Sequence, residues 1–153
     1  MTQYWLAKSE PDVYSIDQLQ KDGSTGWEGV RNYQARNSLR AMKKGDLLLF
    51  YHSNAEPSGL AGVARIKKEA FPDLSALDPK SEYHDPKATA EDPRWSSVEV
   101  EFVEKFARVI PLTELKADPA LAGLEVARKG SRLSVTPVSE AHFHYLVKLG
   151  RKG

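Results

Sequence analysis

Apolar positions recur along this chain in two periods, and the period changes from segment to segment. Gln3 to Lys8 is rich in aromatic and aliphatic residues and stops short of Pro11, which predicts a strand. Ser15 followed three residues later by Gln18 makes a capping box, so a short helix is predicted to about Lys21, ended by Gly23. From Asn32 the pattern is helical: Ala35, Leu39 and Met42 share one face, with Arg36, Arg40 and Lys43 on another. Asn32 is the predicted N-cap and Gly45-Asp46 the end of that element.

The middle of the chain reads as strands around a loop. Leu47 to His52 and Gly59 to Ile66 are strand-like, joined by a hairpin loop over Ser53 to Ser58. Phe71 to Trp95 is polar, carries Pro72, Pro79, Pro86 and Pro93, and reads as a long loop with one helical turn near Leu74. Val98, Val100 and Phe102 alternate with Glu99 and Glu101, a half-buried strand whose alternation slips near Val103, as at a bulge. A helix is predicted over Pro111 to Lys116, a second short one over Pro119 to Leu124, an extended segment over Leu133 to Val138, and a C-terminal helix over Ser139 to Leu149. Strands and helices do not alternate regularly. The pattern predicts an α+β domain with a mixed or antiparallel sheet, curved into a barrel. No repeat or linker divides it, so residues 1–153 are expected to form one domain.

Composition narrows the chemistry. Hydrophobic residues make up 41% and charged residues 28%, as in an ordinary globular protein. There is no cysteine, which excludes disulfides, thiolate metal sites and a cysteine nucleophile. The N-terminal residues show no signal-peptide pattern, and no apolar run reaches the roughly 20 residues that span a bilayer. A cytoplasmic, non-membrane monomer is expected. Net charge is +1, but its distribution is uneven. Arg31, Arg36, Arg40, Lys43 and Lys44 form a stretch free of acids, as do Arg128, Lys129 and Arg132, whereas Glu69 to Glu104 is dominated by acids. Shared on one face, the basic stretches would make a positive side; as separate solvated turns they would not.

No catalytic or metal signature emerges. Ser9 lies between Lys8 and Glu10, and Ser53 follows His52, but neither sits in a nucleophile-elbow sequence. His52, His84, His142 and His144 match no zinc spacing. No cofactor motif is present; Gly23, Gly26 and Gly29 precede no phosphate-binding loop and read as turns. What remains is a set of aromatics beside amide and basic side chains: Trp27, Tyr33, Tyr51 and Trp95 near Arg31, Asn32 and Arg36. Flat bases stack on such rings, and Asn presents a donor and an acceptor to a base edge. Each ring taken singly is better explained as core filling; the cluster beside Arg31 and Asn32 is less easily explained that way.

Three longer motifs give a more specific reading. They are Tyr4-Trp5-Leu6-Ala7-Lys8-Ser9-Glu10-Pro11, then Trp27-Glu28-Gly29-Val30-Arg31-Asn32-Tyr33-Gln34-Ala35-Arg36-Asn37, then Gly45-Asp46 leading to Phe50-Tyr51-His52-Ser53-Asn54. With Pro93-Arg94-Trp95 and Ser131-Arg132-Leu133-Ser134-Val135, they closely resemble the EVE-domain family, which includes the thymocyte nuclear protein type. Only Ala7, where relatives are expected to carry a larger apolar residue, departs from the pattern. The chain looks like a stand-alone bacterial member. The resemblance implies a PUA-like fold, a small curved mixed β-barrel with surrounding helices. It implies a non-catalytic binder of DNA or RNA containing a modified base, or of a free nucleotide. The family's pocket would fall on Lys8 and Ser9, on Trp27, Val30, Arg31, Asn32 and Tyr33, on Phe50, Tyr51, His52 and Ser53, on Trp95, and on Arg132, Leu133 and Ser134. Arg36, Arg40 and Lys43 are expected to hold phosphates. Two other readings stay open: a hydrolase of modified nucleosides using Lys8 and Glu10, and a protein-interaction module using the Phe71–Trp95 loop.

Overall fold

A computed structural model describes residues 2–131 and 133–152. Six strands form one mixed sheet: β1 (Tyr4–Ser9), β2 (Ser24–Trp27), β3 (Leu47–His52), β4 (Gly59–Pro72), β5 (Ser96–Pro111) and β6 (Val135–Val138). Their order across the sheet is β2-β5-β4-β3-β1-β6. β1 and β3 run parallel, Tyr4 opposite Leu47 and Ser9 opposite His52. Every other pairing is antiparallel.

Four α-helices pack around the sheet: α1 (Ile16–Asp22), α2 (Tyr33–Ala41), α3 (Leu112–Ala117) and α4 (Glu140–Arg151). Three of these starts follow from local side-chain caps, whereas α3 follows Pro111 without one. Ser15 accepts from the Gln18 N–H, Asn32 from the Ala35 N–H and Ser139 from the His142 N–H, which satisfies one otherwise orphaned donor of each first turn. Single 3-10 turns cover Leu74–Leu77, Pro119–Leu121 and Glu125–Ala127.

The sheet curls because β4 and β5 slip against each other. Val63 pairs with Glu104 and Ala64 with Phe102, so Val103 is an extra residue on β5. Further shifts fall on either side of that point. Such bulges sharpen the local twist and bend the ladder. Gly62 sits where the curled strand meets β5: a Cβ there would lie 2.4 Å from the Glu104 carbonyl oxygen. The result is a barrel-like wrap. Trp27 of the edge strand β2 and Val135 of the opposite edge strand β6 both enter one buried cluster. That cluster draws on all six strands and includes Ile16, Leu19, Ala35 and Leu39 from α1 and α2. A second cluster, on the other face, joins Leu6, Leu49, Tyr51 and Val63 to Phe143, Leu146 and Val147 of α4.

Two features were not foreseen. β2 lies in the glycine-spaced segment read as turns, and its pairing partners, Val98 to Glu101, are some 70 residues away in sequence. β4 runs to Pro72, six residues beyond the predicted Ile66, and β5 runs through Phe106 to Pro111.

Candidate base-binding cleft

Parallel pairing brings the C-terminal ends of β1 and β3 to the same end of the sheet. Antiparallel β6 begins there, and the Lys8 N–H donates to the Ser134 carbonyl at 2.8 Å. The end of β2 and the turn after it complete the rim. Together they enclose a cleft of about 720 Å³. Lys8, Ser9, Trp27, Val30, Ser53 and Ser134 line it, joined by Glu82 and Tyr83 from the long loop.

The walls are held by short polar links. The Ser9 hydroxyl donates to the Tyr14 carbonyl at 2.6 Å, and the Ser53 N–H donates to the Ser9 carbonyl at 3.0 Å. The Asn54 amide donates to the Glu10 carboxylate. Trp27 is 8% exposed and meets Phe50 edge-on, ring centroids 5.4 Å apart. Its indole N–H has no partner among the described residues, whereas those of Trp5 and Trp95 donate to Asp46 (2.9 Å) and Asp85 (2.7 Å). The Trp27 N–H is not among the fully buried unpaired side-chain atoms, so it keeps contact with the solvent of the cleft and is open to a ligand. Burial lowers the Lys8 ammonium from its ordinary range, and the charge of Glu125 offsets this in part. The Lys8 amine lies 5.8 Å from the centre of the Tyr51 ring.

Several residues expected to bind ligand are engaged elsewhere. Phe50 is fully buried beneath Trp27. Tyr51 points to the opposite cluster, as strand alternation requires next to Phe50, and burial raises its hydroxyl. His52 accepts the Ile16 N–H through Nε2 at 3.1 Å and so fixes the start of α1; burial lowers its pKa. Asn32 uses its side-chain oxygen on the Ala35 N–H (3.0 Å). Leu133 is half-buried and does not line the cleft. Arg132 lies outside the described residues.

Arg31 is turned inward. It donates to the Asp73 carboxylate (3.0 Å), the Val30 carbonyl (2.9 Å), Ser75 (3.3 Å) and, through two nitrogens, the Tyr83 carbonyl (3.1 and 2.6 Å). Asp73 also accepts the Gly29 N–H at 2.9 Å. This knot carries Tyr83 onto Gly29 and makes the 73–95 loop a wall of the cleft. Glu82 and Tyr83 were missed in the sequence because a polar, proline-rich segment carries no periodic signal.

Tyr33, Trp95 and the basic residues form a separate group on the loop's return. Tyr33, 52% exposed, stacks on Trp95 with centroids 4.9 Å apart and planes at 21°. The Arg36 guanidinium lies 4.7 Å from the Tyr33 ring centre. Arg36 and Arg40 both donate to the Arg94 carbonyl (3.0 and 3.1 Å), and Arg40 donates to Ser96 (2.9 Å). Part of their donor capacity thus ties α2 to the loop. Lys43 is exposed beyond the end of the helix. Among the described residues no cluster of His, Asp and Glu has the form of a metal site, and no helix is long and apolar enough to cross a membrane.

Comparison with known proteins places this architecture. Residues 3–149 match the EVE domain. The chain is 40% identical to human thymocyte nuclear protein 1 over 170 residues, covering 99% of this chain and 76% of that protein. A Pseudomonas syringae protein of known structure is 50% identical, with a TM-score of 0.93 over 95% of this chain and 98% of that one. Human THYN1 protein, solved in complex with 5-methylcytosine-containing DNA, is 38% identical, with a TM-score of 0.92 over 99% of each chain. In sequence and in fold, the chain belongs to the EVE-domain family.

Proposed function

We propose that this protein reads a modified base in nucleic acid without chemistry, holding the base extruded from its strand in the cleft beside Trp27. The observation that carries the reading is the Trp27 indole N–H, without a partner among the described residues, set in a cleft large enough for a nucleoside. A relative of the same fold, human THYN1 protein, has been solved with 5-methylcytosine-containing DNA. Trp27 supplies the wall and a donor, Ser9, Ser53 and Ser134 supply small polar groups, and Tyr83 closes the outer side. Extrusion from a duplex costs a few kcal/mol, and a stacked base regains about 1–3 kcal/mol, so bases that leave the helix easily are favoured. Tyr33, Trp95, Arg36, Arg40 and Lys43 form the surface offered to the flanking strand. The whole chain acts as one domain. Identity of 50% and 52% to Pseudomonas proteins over nearly all of both chains supports a bacterial member of the family.

The test is titration of labelled oligonucleotides bearing cytosine, 5-methylcytosine or 5-hydroxymethylcytosine. Trp27→Phe keeps an aromatic wall against Phe50 but removes the donor. It is expected to weaken binding of the preferred base about fivefold to tenfold, the scale of one net hydrogen bond. Equal binding of all three bases, unchanged by Trp27→Phe, would overturn the reading.

One observation favours a second reading, hydrolysis of a modified nucleoside. Lys8 lines the cleft and burial lowers its pKa, the direction of change that a general base needs. Its proposed partner Glu10, however, is occupied by Asn54. Release of a base or substituent from a modified nucleoside, abolished by Lys8→Met, would select this reading over the first.

A further inference from the structure

We infer that the cleft admits a base with its sugar as an uncharged nucleoside unit and turns phosphate away, so that its ligand is a nucleotide within a strand and not a free nucleotide. This rests on the base-binding reading above and adds a charge selection to it.

The charged residues lining the cleft, among those described, are Lys8 and three glutamates: Glu10, Glu28 and Glu82. The glutamates come from three separate segments, the end of β1, the turn after β2 and the 73–95 loop, and all three are exposed. They nonetheless converge. The Tyr83 hydroxyl is raised first by burial, then by Glu82, Glu28 and Glu10. Lys8 is half-buried, its amine lies over the Tyr51 ring, and the charge that acts on it is that of Glu125. Arg31 is committed to Asp73 and the Tyr83 carbonyl. Among the described residues the exposed charges of the entrance are therefore mainly negative.

Apart from Lys8, the groups that line the inner walls are neutral. The Trp27 N–H is unpartnered in a residue 8% exposed, and three serines line the walls. A base and sugar meet donors and acceptors there without bringing charge. A free 5′-monophosphate carries about −1.5 to −2 at neutral pH, tethered close to the sugar. It must lie within about one Debye length, roughly 8–10 Å, of the glutamates, where screening is incomplete. In a strand two singly charged diesters flank the sugar, but they are spread to either side of it, their paths continue away from the entrance, and neither is a terminal dianion. Arg36, Arg40 and Lys43 belong to α2 and the turn after it, outside the cleft, where such a path can be met.

The experiment is competition against a labelled oligonucleotide carrying 5-methylcytosine. The competitors are 5-methyl-2′-deoxycytidine, its 5′-monophosphate and its 5′-triphosphate. The nucleoside is expected to compete at about tenfold lower concentration than the monophosphate, the triphosphate being weaker still, and the gap should narrow in high salt. In a Glu28→Gln/Glu82→Gln variant, with folding checked by thermal melting, the ratio of the two should fall to about twofold. A monophosphate competing as well as the nucleoside, a ratio unchanged in the variant, or no competition by either would overturn the inference. The parent reading is scored separately in the same assay. Indifference to cytosine methylation in the oligonucleotide sinks it, whereas retained discrimination with a preferred monophosphate sinks only the charge selection.

Discussion

Arg31 holds Asp73 at 3.0 Å across 42 residues of sequence, and the carboxylate side chain it holds is fully shielded from solvent. Through Arg31 the same contact fixes the Tyr83 carbonyl, so the ion pair is what converts a polar loop into a wall of the cleft. Arg31→Met leaves a buried carboxylate without its cation. The expected cost is about 3 kcal/mol, at the low end for a broken buried pair because Arg31 is partly exposed. Urea unfolding measures it. Hydrogen exchange should also show the amides from 73 to 95 opening more readily than the sheet. Loss of stability spread evenly, with this loop still protected, would contradict a local role.

Asp73 makes the same pair testable by pH. Burial on its own would raise the carboxyl, but hydrogen bonds from Ser75, the Gly29 N–H and Arg31, with the charge of Arg31, outweigh it and hold the group below its ordinary value. A carboxyl depressed in the folded state contributes stability that is present above its unfolded value near 3.9 and is lost as pH falls through the lower folded value. The wild-type protein should therefore lose stability below about pH 4 more steeply than Asp73→Asn. Melting temperatures of the two taken from pH 6 to pH 2 decide it; parallel curves would exclude the contribution.

What the sequence made legible was local. Ser15, Asn32 and Ser139 announce helix starts because a cap and its N–H lie within three residues. The slip at Val103 was visible because alternation is a nearest-neighbour property. What stayed hidden depends on distant partners. β2 is a strand because of β5, not because of Ser-Thr-Gly-Trp. Asp46 is buried to accept from Trp5 and the Gln3 and Lys43 N–H groups, which no spacing rule finds. Of the candidate site, family motifs pointed to Lys8, Ser9, Trp27, Val30, Ser53 and Ser134, which line one cleft. They could not separate these from Arg31, Asn32 and His52, each of which commits at least one polar atom to holding the fold. A motif marks residues that matter without saying whether they face ligand or protein.

Lys8 gives a pH slope of the same sign as Asp73 from the opposite cause, since its charged form costs stability where that of Asp73 supplies it. Burial lowers its pKa below the usual 10.5, with Glu125 pulling the other way. A lysine depressed in the folded state weakens folding fully below the folded value, and the penalty fades as pH rises through that value toward the unfolded one. Wild-type stability relative to Lys8→Met should thus improve with pH up to about 10.5 and then level off. Paired denaturation curves across pH 7 to 11 cancel the titration of every other group. A difference that stays constant over that range would mean the amine is effectively solvated.

Gly29 concentrates the geometry of the cleft in one backbone position. Its φ of +82° is a conformation that side-chain-bearing residues rarely adopt, and a Cβ there would lie 2.8 Å from the Tyr83 ring. Gly29→Ala therefore meets two penalties, about 1–2 kcal/mol for the left-handed backbone and more for displacing the ring. Its N–H is also one of the donors on Asp73, so a rotated peptide would loosen the ion pair as well. The two penalties separate in a double-mutant cycle with Tyr83→Ala. Removing the ring should leave only the backbone part, so Gly29→Ala should cost about 1 kcal/mol or more less in the Tyr83→Ala background than in the wild type. Strict additivity would show that the ring does not press on Gly29 in solution. With it would fall the view that the loop closes the cleft by seating Tyr83 on the turn after β2.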